Sequence, residues 1–540
     1  MKRVLVWLIV LSLLTGLLTA CGSPAGGPAG GAPQPPAIRP LKAEYRPAEF
    51  EPLEDAEPWS RCWAEPDTVY ADLTHSPGLT YSLMVGNNTA FPGGVPVDYD
   101  QQELIEWGKD PGLNVDILHA HGFTGKGAVV AYIDQGLLPH EEYDRENLHV
   151  TNTGEALQSW HGPAVTSLLM GKSIGVAPDA EVYYFGHDSD KDAQLHQADC
   201  LYRVMALNET LPEGKKIRMV GFSDNISSGE AHEEEFREAA NACAAAGIMV
   251  WFCGENGALA FLPHSDKNDP GNLMPEYYGL RYASLVYVPA AGRTVACVFD
   301  PARYVYCSFG GLSWTMPYTL GLYAIALTID PTFTQDELRK LIMDTADPGT
   351  GQLNTADVFT GGELARTVDI RIVNPVGFVA AVLERVGRNE EAQALRDEVK
   401  ARQRYLYAVL DLEKTGREDR QAILNGLAWV TDTRVLVADA SRFGDETELY
   451  AAIAADLRER GGTLAGYQLF GDVPPPPDGA GEGEAPPVRR LSLAAGEYVT
   501  FFENRLAAIR AGEPEDPAEE RLFPLNRAAV ALCTAEGTLG

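Results

Sequence analysis

The sequence has few cysteines and few basic residues, and both shortages exclude classes of function. Eight of the 540 residues are Cys, and none of them form a CxxC pair. Neither a zinc site nor a complete disulfide framework is therefore indicated. Lys and Arg number 43 against 76 Asp and Glu, which gives a formal net charge of -33. Because a phosphate-binding surface needs clustered Lys and Arg, the composition argues against a nucleic-acid partner. We also predict no metal and no other cofactor.

The amino terminus has the pattern of an export signal. Lys2 and Arg3 precede an apolar run over residues 4 to 18, which is typical of a signal peptide rather than of a membrane span. The sequence LTAC, which ends at Cys21, resembles the bacterial lipobox, in which the cysteine receives a lipid and becomes the new N terminus. The alternative is an ordinary secretory signal with an incidental cysteine. We therefore expect an extracytoplasmic lipoprotein that is anchored to the membrane through Cys21.

Changes in composition divide the rest of the chain, whose hydrophobic fraction of 45% predicts folded units. The predicted parts are a signal peptide (1–20), a Gly/Pro/Ala tether (21–41), an acidic irregular region (42–110), a central domain (111–387) and a C-terminal helical and α/β region (388–540).

The central domain alternates short apolar runs with helical segments. The apolar runs, which are β-branched or aromatic, cover residues 128–134, 180–186, 217–223 and 247–253. Such runs are typical of buried strands in a parallel sheet, and a helical pattern lies between the last two. The order predicts an α/β fold with a doubly wound sheet, whose sites lie at the carboxyl ends of the strands.

The C-terminal region carries no recognisable catalytic constellation. Its residues 390 to 430 continue an amphipathic helical pattern. Residues 433–440, 448–460 and 463–470 then predict one further β-α-β unit.

Three residues of the central domain have the side chains, and the positions relative to strands and helices, that amide hydrolysis by a hydroxyl requires. Asp134 ends an apolar run, His161 opens a helical segment, and Ser313 follows a Gly-Gly turn before a buried helix. A serine nucleophile needs a base, an acidic group that orients the base, and donors for the oxyanion. Each residue alone also has a structural explanation as a turn former, a core histidine or a helix cap.

Four segments around these residues together resemble the motifs of the subtilase family of subtilisin-like serine peptidases, over about half of the chain. The segments are VVAYIDQG, HGPAVTSLLMG, IGVAPDAEVYY and GLSWTMPYTLGLYAIAL. The resemblance implies a largely parallel sheet of about seven strands flanked by helices. It also implies a triad in the order Asp134, His161 and Ser313, with Ser313 as the nucleophile.

The segment expected to supply an oxyanion donor departs from the family pattern. The family has Asn at the end of a strand, where this chain reads CGENG over residues 253 to 257. An alignment without gaps places Glu255 there, whereas a one-residue bulge would place Asn256 there. A carboxylate would repel an oxyanion, so we predict Asn256, although another donor elsewhere is an open alternative.

These observations predict a serine endopeptidase that acts on protein or peptide substrates at the cell surface. One alternative is a subtilisin-like pseudoprotease that binds or senses a partner, and another is a solute-binding lipoprotein. Many subtilases remove a pro-region, which here would be residues 42 to 110. Because Cys21 precedes that region, we expect the chain to remain intact or tightly associated.

The remaining cysteines leave two structural alternatives open. Cys297 and Cys307 lie on two β-rich runs joined by Asp300-Pro301, so they could face each other across a hairpin. Buried thiols that act as small apolar side chains are the other possibility.

Overall fold

The computed structural model describes most of the chain from residue 68 to residue 477. The described residues are 37–40, 68–75, 80–81, 83–96, 99–153, 161–275, 286–296, 301–308, 310–354, 364–416, 433–477, 488–491, 504 and 507. The predicted signal peptide and Cys21 lie outside them.

The elements follow in an alternating order. The strands are β1 (Ile38–Pro40), β2 (Val85–Gly86), β3 (Val129–Gln135), β4 (Leu148–Asn152), β5 (Glu181–His187), β6 (Met219–Phe222), β7 (Met249–Phe252), β8 (Asn256–Phe261), β9 (Leu273–Pro275), β10 (Val286–Ala291), β11 (Arg293–Ala296), β12 (Tyr304–Cys307), β13 (Asp347–Asn354), β14 (Leu364–Ile372), β15 (Arg404–Leu410), β16 (Arg434–Asp439), β17 (Thr463–Phe470) and β18 (Val488–Leu491). The helices are α1 (Gln101–Lys109), α2 (Val115–Ala120), α3 (His161–Met170), α4 (Ala193–Thr210), α5 (Glu233–Ala245), α6 (Thr315–Ile329), α7 (Gln335–Asp344), α8 (Pro375–Arg385), α9 (Asn389–Arg402) and α10 (Glu446–Arg460).

A parallel sheet with the order β4-β5-β3-β6-β7 forms the centre of the fold. The four apolar runs of the central domain become β3, β5, β6 and β7, as the sequence predicted. Residues 129 to 134 are buried without interruption, which a strand covered on both faces requires.

Helices cover both faces of this sheet. Val130 and Tyr132 of β3 belong to a large cluster that includes residues of α3 and α6. Val129 and Ile133 point to the opposite face, into a second cluster that includes residues of α4 and α5. The predicted α/β class, with a parallel sheet flanked by helices, is therefore confirmed.

The predicted count of about seven strands is not confirmed, since the described residues give the parallel sheet five strands. After β7 the chain makes a 3-10 turn at Cys253–Glu255 and enters β8, which belongs to a second sheet with the order β13-β14-β10-β8-β9. The pairs β8–β10 and β10–β14 are parallel there, so parallel strands continue beyond the turn but in a separate sheet.

The acidic region before residue 110 contributes to the same core as the parallel sheet. Val85, Leu104 and Ile105 are fully buried in the large cluster. β2 pairs with β12, and α1 packs against β11 and β12. The described residues between 68 and 110 thus complete the central core.

The C-terminal region forms a sheet with the order β1-β16-β15-β17-β18. The predicted β-α-β unit is confirmed as β16, α10 and β17, although both strands pair with β15 rather than with each other. β1, from the predicted tether, lies antiparallel to β16 at the edge.

One prediction about the start of this region differs from the structure. Residues 404 to 410 were predicted as helix but form β15, because RYLYAVL is rich in aromatic and β-branched residues and lies almost wholly buried between two parallel neighbours. The domain boundary after residue 387 stays a prediction; Ala392 and Leu395 of α9, which follow it, pack in the central cluster beside α8.

Candidate active site

Asp134 lies at the carboxyl end of β3, where the sequence analysis placed it. It is 5% exposed and stands opposite Gly186 of the neighbouring strand β5. The main-chain N–H of Gln135 donates to its Oδ1 at 2.8 Å. The carboxylate is thus held at the sheet edge where sites of α/β folds form.

His161 is the first residue of α3 and contacts Asp134. Its Nδ1 donates to Oδ1 of Asp134 at 2.6 Å, and the His161 side chain is 11% exposed. Because Nδ1 carries the proton of this bond, Nε2 is the basic nitrogen of the neutral ring. The two residues therefore form an oriented acid–base pair.

Two carboxylates make His161 a stronger base. Burial opposes protonation of the ring, yet the charge of Asp134, its hydrogen bond and the charge of Asp224 together raise the pKa of His161 above the usual 6.5. Asp224 follows β6 and is exposed, and its Oδ2 accepts a hydrogen bond from Gln197 at 2.9 Å.

Ser313 lies in a 3-10 turn, Leu312–Trp314, directly before α6. Two glycines place this turn. Gly311 has φ +70°, a conformation that favours glycine, and a Cβ on Gly310 would lie 2.3 Å from the carbonyl oxygen of Ala290. The turn contacts both α3, which begins with His161, and the Cys253–Glu255 turn after β7. Three segments distant in sequence thus meet around Ser313.

Ser313 and Ser223 form a reciprocal pair of hydrogen bonds. Oγ of Ser313 donates to the carbonyl oxygen of Ser223 at 3.1 Å. In return, Oγ of Ser223 donates to the carbonyl oxygen of Ser313 at 2.9 Å. The pair joins the residue after β6 to the turn before α6.

The side chains of the segment expected to supply the oxyanion donor already form hydrogen bonds with other residues. Asn256 is the first residue of β8 and is 3% exposed, and its Nδ2 donates to Oγ1 of Thr319 at 3.1 Å. Glu255 is bound by Arg339 through two hydrogen bonds of 2.6 and 2.8 Å. The role of Asn256 stays a prediction, and the Glu255 carboxylate is neutralised by Arg339.

Three residues near the site, Asp224, Tyr132 and Arg339, are not predicted from the sequence. Asp224 follows a predicted strand. Because the sites of α/β sheets lie at the carboxyl ends of the strands, its position could have identified it. Tyr132 has only a weak signal, a hydroxyl within an otherwise apolar run. Arg339 has none, since it lies 84 residues from Glu255.

Three cysteines of the described residues are buried free thiols, Cys200, Cys243 and Cys253. Burial is the main cause that raises the pKa of Cys253 to about 12. Cys307 is opposite Arg293 in the β11–β12 hairpin, whereas Cys297 lies outside the described residues.

Neither a metal cluster nor a membrane span is found in the part of the chain that the structure describes. No group of three or more His, Cys, Asp or Glu side chains there could hold a metal ion. None of the helices in the same residues is both long and apolar enough to cross a membrane.

No family model and no curated protein sequence match the chain. Among solved structures, the chain is similar to the Prenylagaramide maturation protease PagA, with 14% identity and a TM-score of 0.34 over 50% of this chain and 98% of that one. It is also similar to the MycP3 protease from the type VII (ESX-3) secretion system, with 16% identity and a TM-score of 0.34 over 50% of this chain and 89% of that one. The fold class therefore rests on the strand order of the chain itself.

Proposed function

We propose that this chain is a subtilisin-like serine endopeptidase with Asp134, His161 and Ser313 as its triad. The observation that carries the proposal is the 2.6 Å hydrogen bond between His161 and Asp134, in a site where the Ser313 turn packs against the helix of His161. The proposed base, orienting carboxylate and hydroxyl belong to three separate elements, α3, β3 and the turn before α6, and α3 contacts both of the others.

The proposed reaction proceeds through an acyl-enzyme. The hydroxyl of Ser313 turns from the carbonyl of Ser223 toward Nε2 of His161, which takes its proton as oxygen attacks the scissile carbonyl carbon. Asp134 stabilises the imidazolium that forms. His161 then gives the proton to the leaving amine, and water hydrolyses the ester by the same proton transfers in reverse roles.

The oxyanion would be stabilised by the main-chain N–H of Ser313 in the turn before α6, because the N–H groups of Trp314 and Thr315 already donate to Gly311 and Leu312. The first N–H groups of a helix lack acceptors within it, and the helix dipole favours negative charge at this end. Neutralisation of Glu255 by Arg339 removes a repulsive charge from the adjacent turn. Asn256 remains our predicted side-chain donor.

A fluorophosphonate probe tests the proposal, because it reacts with activated serines. We expect purified protein to be labelled at Ser313, and both Ser313→Ala and His161→Ala to lose the label. Ser228→Ala serves as control, since this hydroxyl donates to Glu233 on the surface. Wild-type protein that has not been exposed to the probe should also release fluorescent peptides from dye-labelled casein, whereas Ser313→Ala should not.

The engagement of Asn256 with Thr319 favours a second candidate, a pseudoprotease that binds a partner. If wild-type protein melts cooperatively but is neither labelled nor able to cleave casein, the pseudoprotease replaces the enzyme as the better proposal. Labelling that persists in Ser313→Ala would assign the reactive serine elsewhere and reject the triad.

The proposed location is the outer face of the cytoplasmic membrane or the cell surface, with Cys21 as the lipid anchor. The support is the sequence pattern that ends at Cys21. We expect wild-type protein in the membrane fraction of expressing cells and Cys21→Ala in the soluble or secreted fraction. Equal distribution of the two proteins would contradict the anchor.

A further inference from the structure

We propose that Tyr132 and Ser223 are positioning residues, which together hold Ser313 in place for reaction. The inference rests on the proposed role of Ser313 as nucleophile. Oη of Tyr132 and Oγ of Ser223 are 2.6 Å apart. Ser223 in turn is joined to Ser313 by the two reciprocal hydrogen bonds. A continuous chain of hydrogen bonds thus runs from β3 to the nucleophile turn.

The direction of each hydrogen bond in this chain follows from the number of protons. Ser223 has one hydroxyl proton, and it donates that proton to the carbonyl oxygen of Ser313. Its oxygen must therefore accept from the phenol of Tyr132. Burial and the nearby charge of Asp134 raise the pKa of Tyr132, so the phenol remains a neutral donor across the working pH range.

Packing alone does not explain the hydroxyl of Tyr132. The side chain is 1% exposed, and its ring stacks on Tyr184 with 6.4 Å between centroids and 19° between planes. A phenylalanine would fill this place without the cost of removing a hydroxyl from water. The hydroxyl is compensated by its bond to Ser223, which makes this bond the specific contribution of tyrosine here.

The chain of hydrogen bonds connects two members of the proposed triad, Asp134 and Ser313. Tyr132 precedes Asp134 by two residues on the same strand, and Ser223 follows the adjacent strand β6. The hydrogen bond from Ser223 fixes the carbonyl of Ser313. It thereby sets the position of the Ser313 turn relative to Asp134 and, through Asp134, relative to His161. Small errors in such a geometry lower reaction rates, because the attacking group must be aligned before the step.

The test is the rate of labelling by the fluorophosphonate probe in Tyr132→Phe, Ser223→Ala and the double variant. Loss of one neutral hydrogen bond should slow Tyr132→Phe by about 3- to 10-fold. If the two hydroxyls act as one chain, the double variant should be no slower than Ser223→Ala alone. Ser223→Thr keeps the hydroxyl and should restore most of the rate.

Two further readouts separate positioning from general stability. Tyr143→Phe removes another buried phenol bond, to the carbonyl of Leu138 at 2.8 Å, and should be labelled at the wild-type rate. The pH midpoint of labelling should stay unchanged in Tyr132→Phe, because the bond between Asp134 and His161 is untouched. The midpoint of thermal unfolding is measured for every variant and compared with that of the wild type.

The outcomes distinguish this inference from the proposed function. A wild-type protein that is folded but not labelled would overturn both. A labelled wild type with Tyr132→Phe at the same rate, or with additive losses in the double variant, would overturn the positioning role alone. Equal slowing by Tyr132→Phe and Tyr143→Phe would also overturn it, since any lost phenol bond would then have the same effect.

Discussion

Arg339 of α7 donates two hydrogen bonds to the carboxylate of Glu255, which lies 84 residues earlier in the sequence. Glu255 belongs to the turn after β7, which contacts the turn of Ser313. The guanidinium also lies 5.1 Å from the ring centroid of Trp251, which holds it in this position. A negative charge next to the proposed oxyanion is thereby paired.

We predict that Arg339→Ala lowers the rate of fluorophosphonate labelling by about tenfold, equivalent to about 1.4 kcal/mol. The freed carboxylate of Glu255 would then face the developing negative charge. Adding Glu255→Gln should recover most of the rate, because the neutral amide does not repel an oxyanion.

Lys340→Ala provides the matched control for this prediction. Lys340 is the next residue on α7, its side chain is 76% exposed, and it pairs with Asp344 instead. If Arg339→Ala reacts as fast as Lys340→Ala, or if Glu255→Gln fails to rescue it, then pairing of Glu255 has no part in the reaction.

The pH dependence of labelling should follow the protonation of His161. Only the neutral imidazole can accept the proton of Ser313, so the rate should rise with pH through the pKa of His161. Since the charges of Asp134 and Asp224 outweigh burial and raise that pKa, the midpoint should lie above the usual 6.5. Asp224→Asn removes one of these charges and should shift the midpoint to lower pH.

Rates measured from about pH 5 to pH 9 on both proteins check this shift. Asp190→Asn is the control, because its carboxylate pairs with His196 instead. A midpoint that moves upward in Asp224→Asn, or moves equally in Asp190→Asn, would contradict the assigned charge effect.

The central strands and the positions of Asp134, His161 and Ser313 could be predicted because each depends on local patterns. Continuous apolar runs specify buried strands, and a Gly-Gly pair before an apolar helix specifies a turn. The contact between Tyr132 and Ser223 joins residues 91 positions apart. A tyrosine in a buried run is indistinguishable by sequence from an ordinary core aromatic, so this contact required the structure.

The errors in the fold have related causes. The sequence pattern predicts helix over β15 because its seven residues follow a long amphipathic segment, whereas its pairing with two neighbouring strands is visible only in the structure. The region before residue 110 looks irregular because its apolar residues match no period. Its burial depends on α1 and β2 packing against strands about 200 residues further along the chain, which the sequence pattern does not encode.

That packing predicts that a chain starting at residue 111 will not fold. Val85, Leu104 and Ile105 are fully buried. Burial of such side chains contributes about 1.5 to 3 kcal/mol each, so three of them approach the whole stability of a typical protein. We therefore expect the proposed enzyme to retain the described residues before 110, by covalent continuity or tight association.

Chains starting at residues 22, 37 and 111 test this, together with two point variants on α1. The first two chains should melt at the same temperature, because residues 22–36 are almost entirely Gly, Pro and Ala, whereas the third should be insoluble. Ile105→Ala should lower the free energy of unfolding by about 2 to 5 kcal/mol. Glu106→Ala, whose side chain is 55% exposed, should change it little. A soluble, cooperatively melting chain from residue 111 that is labelled at the wild-type rate would show that the preceding region is a removable pro-segment after all.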